Sequence, residues 1–69
     1  MISTDVLGKR IAETRHQKGL TQKQLAEKVG VTAQAVSKWE RGSNCPDISI
    51  LDEVASALDV SVSELLGVN

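Results

Sequence analysis

An amide, a hydroxyl group and two cations recur along residues 33–41 at the spacing of one helix face. Side chains three or four positions apart share a face of a helix, so these groups would form a single stripe. The stripe consists of Ala33, Gln34, Ser37, Lys38 and Arg41. The opposite stripe, Val36, Trp39 and Glu40, is expected to face inward. The polar stripe is poorly suited to burial against protein and well suited to hydrogen bonding with an external partner.

The polar stripe offers the groups that read base pairs in the major groove of DNA. Gln34 can bond bidentately to adenine N6 and N7, and Lys38 can donate to guanine O6 and N7. Ser37 can donate or accept, and Ala33 can contact a thymine methyl group. A helix over residues 33–41 would span about 13 Å, and a helix fits the groove width of about 12 Å. The alternative interpretation is an ordinary solvated helix face, which periodicity alone would favour.

Helix signals cover nearly the whole chain, and the sequence predicts five helices, numbered α1 to α5 in chain order. Their expected ranges are about 5–18, 22–29, 33–41, 48–58 and 62–66. The chain has no Tyr or Phe, and Leu, Val, Ile and Ala carry its apolar content, which favours helices over strands. We therefore expect an all-α fold, a compact five-helix bundle in one domain covering residues 1–69.

Residues that can cap a helix precede each predicted range, because Ser, Thr and Asp side chains accept hydrogen bonds from free backbone N–H groups. The expected caps are Thr4 or Asp5 for α1, Thr21 for α2, Thr32 for α3, Asp47 for α4 and Ser61 for α5. Gln24 and Glu64 would complete capping boxes with Thr21 and Ser61. Gly30 is expected to end α2. Hydrophobic staples at the starts of both helices, Leu20 with Leu25 and Val31 with Val36, are expected to make the turn between α2 and α3 a defined corner.

The α2–α3 segment resembles the helix-turn-helix of phage repressors, Cro proteins and the Xre-type bacterial regulators. The resemblance covers about residues 7–66 and rests on four stretches, GLTQKQLA at 19–26, GVT at 30–32, AVSKWERG at 35–42 and CPDI at 45–48. It implies a lambda-repressor-like fold with the helix-turn-helix formed by α2 and α3. It also implies sequence-specific binding of double-stranded DNA by a transcriptional regulator that reads the major groove with α3. Repression is expected, and activation is left open.

The resemblance further implies roles for single residues. Gln34 and Lys38 match base-reading positions, and Ser37 and Ala33 are lesser candidates. Phosphate contacts are implied for Gln22, Thr32, Arg41, Ser43 and Asn44. Arg15 and Glu40 match a structural ion pair that ties α1 to α3. Many relatives carry a longer polar residue where this chain has Ala33, so one base contact is expected to be reduced to methyl packing.

The net charge of −1 conceals a strong polarity along the chain. Residues 1–46 hold all eight Lys and Arg with four acids, a net charge of +4, whereas residues 47–69 hold five acids and no base, a net charge of −5. This asymmetry fits a basic face toward a polyanion and an acidic rear. Ordinary variation in surface charge is the alternative explanation.

Several classes of function are disfavoured by what the sequence lacks. A single Cys and a single His exclude an internal disulfide and leave no ligand set for a metal, and neither a cofactor nor a small-molecule ligand is expected. No Gly-rich phosphate loop or catalytic constellation is present, so the protein is not expected to be an enzyme. Charges at Asp5 and Lys9 interrupt the first ten residues, so no signal or membrane segment is expected and a cytoplasmic location is predicted.

A few residues outside the α2–α3 segment are assigned ordinary roles. His16 is expected to face solvent, and Cys45 to be a loop thiol. Lys9 and Arg10 are expected to lie on a solvated turn of α1, although either could reach a DNA phosphate. Trp39 is expected in the core.

The expected partner is a double-stranded DNA operator, read by a homodimer because one small domain reads only a few base pairs. Apolar residues of α5 and the C-terminal tail are the candidate dimer surface, namely Val62, Leu66 and Val68. The alternative is an antitoxin-like or other protein-interaction module with the same fold.

Overall fold

The computed structural model describes residues 3–67, which contain five α-helices and no strand. The helices are α1 Thr4–Gln17, α2 Gln22–Val29, α3 Ala33–Glu40, α4 Ile48–Ala57 and α5 Val62–Leu66. The all-α fold class is confirmed, and every helix boundary lies within one residue of its predicted position. Among residues 3–67 no helix combines the length and the apolar character needed to cross a membrane.

Side-chain caps define the helix starts. Thr21 accepts from the Gln24 backbone N–H at 3.0 Å while Gln24 Oε1 accepts from the Thr21 N–H at 2.8 Å, which completes the predicted capping box. The prediction for α1 was wrong: Ser3 is its cap and accepts from the Asp5 N–H at 3.1 Å. Ser3 is extended, whereas Thr4 is already helical, so only Ser3 has the backbone conformation of a cap. The other predicted caps are Thr32, Asp47 and Ser61, which occupy their expected places.

Helices α1 to α4 end in one shared backbone arrangement. In α2, Gly30 lies in the left-handed region at φ +85, and the N–H of Val31 bonds back to the Ala26 carbonyl at 3.0 Å. The end of α4 is built the same way, with the N–H of Val60 on the Ala55 carbonyl at 3.0 Å. There, however, the left-handed position is occupied by Asp59, the one non-glycine with positive φ among residues 3–67. These closed ends satisfy carbonyls that would otherwise lack partners.

One hydrophobic cluster holds the helices together. Its buried members are Leu7, Ile11, Leu25, Ala26, Val36, Trp39, Leu51, Val54, Ala55, Leu58 and Leu65. Every helix contributes to this cluster, and α3 packs mainly against α1 and α2, while α4 packs against α2 and α5. The inward residues of α3 are therefore fixed from two sides, and its opposite face stays free.

Helices α1 and α3 approach each other closely at Gly8. A Cβ atom built on Gly8 would overlap the carbonyl oxygen of Trp39, so the contact is between two backbones. Thr4, one turn earlier on α1, donates its hydroxyl to the Gly42 carbonyl at 3.2 Å. The N-terminal half of α1 therefore supports the C-terminal end of α3.

Candidate nucleic-acid interface

Helix α3 has a buried face and an open face, as its sequence pattern indicates. Val36 is fully buried and Trp39 is nearly so. On the opposite side Gln34, Lys38 and Arg41 are exposed. Ala33 and Ser37 are half-buried beside them, and Ala33 also packs against the edge of the core. The structure thus brings the five residues of the polar stripe to one surface, with the amide and the two cations reaching furthest into solvent.

Four of the residues expected at phosphates lie at the two ends of α3 or in the loop after it, and they keep free donors. Thr32 Oγ1 accepts from the Ala35 N–H at 3.1 Å, which leaves the hydroxyl hydrogen available. Arg41 donates through Nε to the Ser37 carbonyl at 3.3 Å, so the two terminal nitrogens of its guanidinium carry the remaining donors. Ser43 and Asn44 are exposed in the loop after α3. These groups can donate to anions placed along the open face.

Glu40 connects three helices on the side of α3 that faces the protein. Its carboxylate accepts from Arg15 Nε at 2.7 Å and from Arg15 Nη2 at 3.0 Å, a bidentate ion pair in which both side chains are more than nine-tenths buried. Gln22 Nε2 donates to the same carboxylate at 3.0 Å. Arg15 Nη1 also donates to the Leu20 carbonyl at 2.8 Å. The structure therefore joins Arg15 and Glu40, and adds Gln22 to them.

The hydrogen bonds of this network outweigh its burial in setting the charge of Glu40. Burial by itself would raise the pKa of Glu40, but the hydrogen bonds from Arg15 and Gln22 lower it, and the net pKa lies below the ordinary value. The pKa of Arg15 is raised, mainly by its hydrogen bonds to Glu40. Both groups are consequently held in their charged forms at neutral pH.

Some contacts at and around the interface have no local sequence signal. The bond between Gln22 and Glu40 links residues 18 positions apart, so helix periodicity could not have found it. The expectation of a solvated turn was wrong for Arg10, which donates through Nε to the Glu64 carbonyl of α5 at 2.7 Å. The reason is that α5 packs against α1, which brings the Glu64 carbonyl in the last turn of α5 within reach of the guanidinium. Lys9 is exposed, as expected.

The remaining predicted residues lie away from α3. His16 is exposed, with Nε2 3.3 Å from Arg15 Nη2. Cys45 is exposed in the loop after α3. Val62 and Leu66 of the candidate dimer surface are half-buried, and Val68 lies outside the described residues. Within residues 3–67, no group of three His, Cys, Asp or Glu side chains could hold a metal ion.

The fold, the corner between α2 and α3, and the open polar face of α3 define a helix-turn-helix protein. The helix-turn-helix family matches residues 11–65, and the chain belongs to that family. It is 42% identical over 62 residues to the HTH-type transcriptional regulator SinR of Bacillus subtilis, an alignment that covers 88% of this chain and 56% of SinR. The chain spans about half the length of such curated relatives.

Solved structures of repressors and regulators share the fold closely. The P22 c2 repressor in complex with a synthetic operator has a TM-score of 0.87 and 33% identity, over 93% of this chain and 97% of that chain. SinR in complex with DNA has a TM-score of 0.82 and 43% identity, over 87% of this chain and 97% of that chain. The likeness therefore extends over almost the whole of residues 3–67.

Proposed function

We propose that this protein binds double-stranded DNA in a sequence-specific manner and represses transcription, acting in the cytoplasm without enzymatic activity. The observation that carries the proposal is the open face of α3, where Gln34, Lys38 and Arg41 are exposed opposite fully buried Val36. Two solved relatives, SinR and the P22 c2 repressor, are in complex with DNA or an operator. That likeness supports placing α3 in the major groove.

Two side chains of α3 would read bases. Gln34 would pair with adenine N6 and N7, and Lys38 would donate to guanine O6 and N7. Ser37 and Ala33 are half-buried and reach less far from the helix. Ser37 would make a hydrogen bond through its hydroxyl group, and Ala33 would contact a thymine methyl group. The eight residues of α3 span about 12 Å along the helix axis, and the diameter of a helix, about 10–12 Å, fits the groove width of about 12 Å.

Phosphate contacts would fix the position of α3 without reading sequence. The second N–H of the Gln22 amide would donate to a phosphate while the first stays on Glu40. Thr32 and Arg41 would donate from the two ends of α3, and Ser43 and Asn44 from the loop that follows. The partial positive charge at the N-terminus of α2 would add to the attraction.

Specificity would require two copies on two half-sites. A recognition helix of eight residues contacts only a few base pairs, and dimeric regulators of this type bind half-sites about one helical turn apart. We therefore propose a homodimer on a two-fold operator, with the apolar side chains of α5 near the contact.

Selection of bound sequences from random duplexes, followed by sizing of the complexes, tests the proposal. We expect enrichment of a two-fold sequence bound by two copies, and an affinity that falls steeply with salt because phosphate contacts release counterions. Failure to enrich any sequence would overturn DNA reading and favour the protein-interaction alternative.

Substitutions in α3 and at its end separate base reading from phosphate contact. Lys38→Ala should change the preferred base at one position and weaken the selected sequence by about 1–3 kcal/mol. Arg41→Ala should weaken all sequences alike and reduce the salt slope by about one. Lys18→Ala is the control, since Lys18 is exposed and lies close enough to Glu64 to affect its pKa, on the α5 side of the molecule. An unchanged preference in Lys38→Ala would remove Lys38 from the base-reading residues.

A further inference from the structure

Asp5 places a carboxylate against the loop that follows α3. It lies in the first turn of α1 and is exposed. A Cβ atom built on Gly42 would overlap Asp5 Oδ1 and would lie 3.2 Å from Asp5 Cγ. The neighbouring Thr4 hydroxyl donates to the Gly42 carbonyl at 3.2 Å, which ties the start of α1 to this loop. The carboxylate is therefore held beside Gly42.

Gly42 separates two residues for which we propose phosphate contacts, Arg41 and Ser43. Both are exposed. A carbon–carbon bond is about 1.5 Å long and consecutive Cα atoms lie about 3.8 Å apart, so Asp5 Cγ lies within about 9 Å of the Cα atom of each residue. At physiological salt the screening length is about 8 Å, which weakens but does not abolish an interaction over this distance. A phosphate contacted by Arg41 or Ser43 would therefore experience the negative charge of Asp5.

The charge of Asp5 is not balanced by a basic side chain in the described part of the molecule. Among residues 3–67, no Lys or Arg nitrogen lies within the ion-pair distance of 4.0 Å from its carboxylate. The negative charge of Glu40, by contrast, is balanced by Arg15. The positive end of the α1 dipole favours a carboxylate in the first turn of α1. Stabilisation of α1 is therefore the alternative role for Asp5.

We propose that the carboxylate of Asp5 weakens DNA binding, because it repels the phosphates that Arg41 and Ser43 contact. This inference rests on the proposed function, and it adds a residue that opposes binding to those that support it. Phosphates carry no sequence information, so Asp5 lowers the affinity for every sequence alike. Asp5 thus affects how tightly DNA is held, whereas α3 determines which sequence is preferred.

The variant Asp5→Asn tests the inference, because it removes the charge and nearly preserves the size of the side chain. Its affinity is measured for a duplex with one half-site of the selected sequence and for an unselected duplex. At 0.15 M salt we expect both affinities to rise about threefold over those of the parent. At 0.01 M salt, where screening extends over about 30 Å, the gain should reach about tenfold. Asp5→Glu keeps the charge and should give no gain.

Asp52→Asn is the matched control for the change in net charge. It makes the same substitution at another exposed aspartate, which lies on α4. We expect no gain in affinity for this variant at 0.15 M salt, because only a carboxylate close to the phosphates acts through that much screening. An equal gain in Asp5→Asn and Asp52→Asn at 0.15 M would overturn the inference, since net charge alone would then explain both.

The melting temperature of the free protein separates repulsion of DNA from a purely structural role. Loss of the negative charge from the first turn of α1 should lower the melting temperature of Asp5→Asn by about 2–4 °C. The same variant should bind DNA more tightly than the parent. A residue that served only to stabilise α1 would give weaker or unchanged binding when it is replaced. A destabilised Asp5→Asn with no gain in affinity would therefore overturn the inference.

The remaining outcomes distinguish this inference from the proposed function. If the parent prefers the selected half-site and Asp5→Asn binds it no more tightly, the repulsion is wrong and DNA reading is intact. A gain confined to the selected half-site, or a changed sequence preference in Asp5→Asn, would also overturn the inference, because Asp5 would then act on a base. If the parent shows no preference for any sequence, the proposed function fails, and the inference fails with it.

Discussion

A single carboxylate determines how α3 is turned about its own axis. Glu40 lies on the inward face of α3 and accepts hydrogen bonds from Arg15 on α1 and Gln22 on α2. Rotation of α3 that would carry Gln34 or Lys38 off the open face would break these bonds and leave buried charges unpaired. The network therefore orients the side chains that we propose to read bases, without itself belonging to the open face.

Removal of the carboxylate should cost stability. We expect Glu40→Ala to lower the free energy of unfolding by about 3 kcal/mol, because it leaves the Arg15 guanidinium buried without its counter-charge. Urea denaturation measures the loss. The double variant Arg15→Leu with Glu40→Leu should recover at least half of it, since replacing both charges removes the unpaired one. A loss of less than 1 kcal/mol in Glu40→Ala would mean that water reaches Arg15.

The pH dependence of the difference in unfolding free energy between the parent and Glu40→Ala gives an independent check. The folded pKa of Glu40 is lowered from the ordinary 4.5, so the stability that it contributes is present above that pH and lost as the pH falls through the lower folded value. The unfolding free energies of the parent and Glu40→Ala should therefore show their full difference at neutral pH and converge in acid. A constant difference over that range would contradict the ion pair as the source of the stability.

At the scale of elements, the four longer helices end in the same backbone arrangement, and only α4 lacks a glycine in it. Three of them place a glycine in the left-handed region, Gly19, Gly30 and Gly42, and α4 places Asp59 there at φ 59. A residue with a Cβ pays a steric penalty in this region, and Asp tolerates it better than most. The end of α4 is therefore held by its surroundings in a conformation that its sequence does not favour.

Exchanging these two residue types should move stability in opposite directions. We expect Asp59→Gly to raise the free energy of unfolding by about 0.5 kcal/mol and Gly30→Asp to lower it by about 1 kcal/mol. No atom lies within 4 Å of a Cβ built on Gly30, so the second effect comes from the backbone alone. Asp59→Ala is the control, because it removes the charge, keeps the Cβ and should give no gain. Thermal and urea unfolding measure all three.

At the scale of the whole molecule, charge is separated along the chain. The basic residues lie in residues 1–46, which include α1 to α3, and residues 47–69 carry five acids and no base. We expect a polyanion to be attracted by the basic segment and repelled by the acidic one, which would orient the protein on DNA before any base is read.

The acidic residues of segment 47–69 should weaken DNA binding at low salt and not at physiological salt. Asp52→Asn with Glu53→Gln should raise affinity for unselected duplex DNA by about fivefold at 0.01 M salt, where screening extends over about 30 Å and exceeds the 29 Å length of the molecule. At 0.15 M the screening length is about 8 Å, and the gain should vanish. The selected sequence should stay the same in both conditions. A gain that persists at 0.15 M would place these acids close to the DNA.

Apart from the cap of α1, the sequence was informative where the signal is local. Thr21 with Gln24 and Ser61 with Glu64 lie three residues apart, and each pair forms the capping box that its spacing predicts. Apolar periodicity likewise separated Val36 and Trp39 from Gln34 and Lys38. Contacts between distant segments could not be predicted in this way, because they depend on how the helices pack. The bond from Arg10 to Glu64 spans 54 residues, and the bond from Gln22 to Glu40 spans 18.

Helix α5 has only five residues, which is too short to persist in water by itself. Buried Leu65 and the bond from Arg10 hold it against α1. Its release is therefore a local opening that needs less free energy than global unfolding, and its amide hydrogens should exchange with solvent earlier than those of α3. Since Val62 and Leu66 belong to this segment, the surface that we propose for the second copy would be formed and lost on the timescale of that opening. Pairing on DNA would slow this exchange, so the operator and the last helix would stabilise each other.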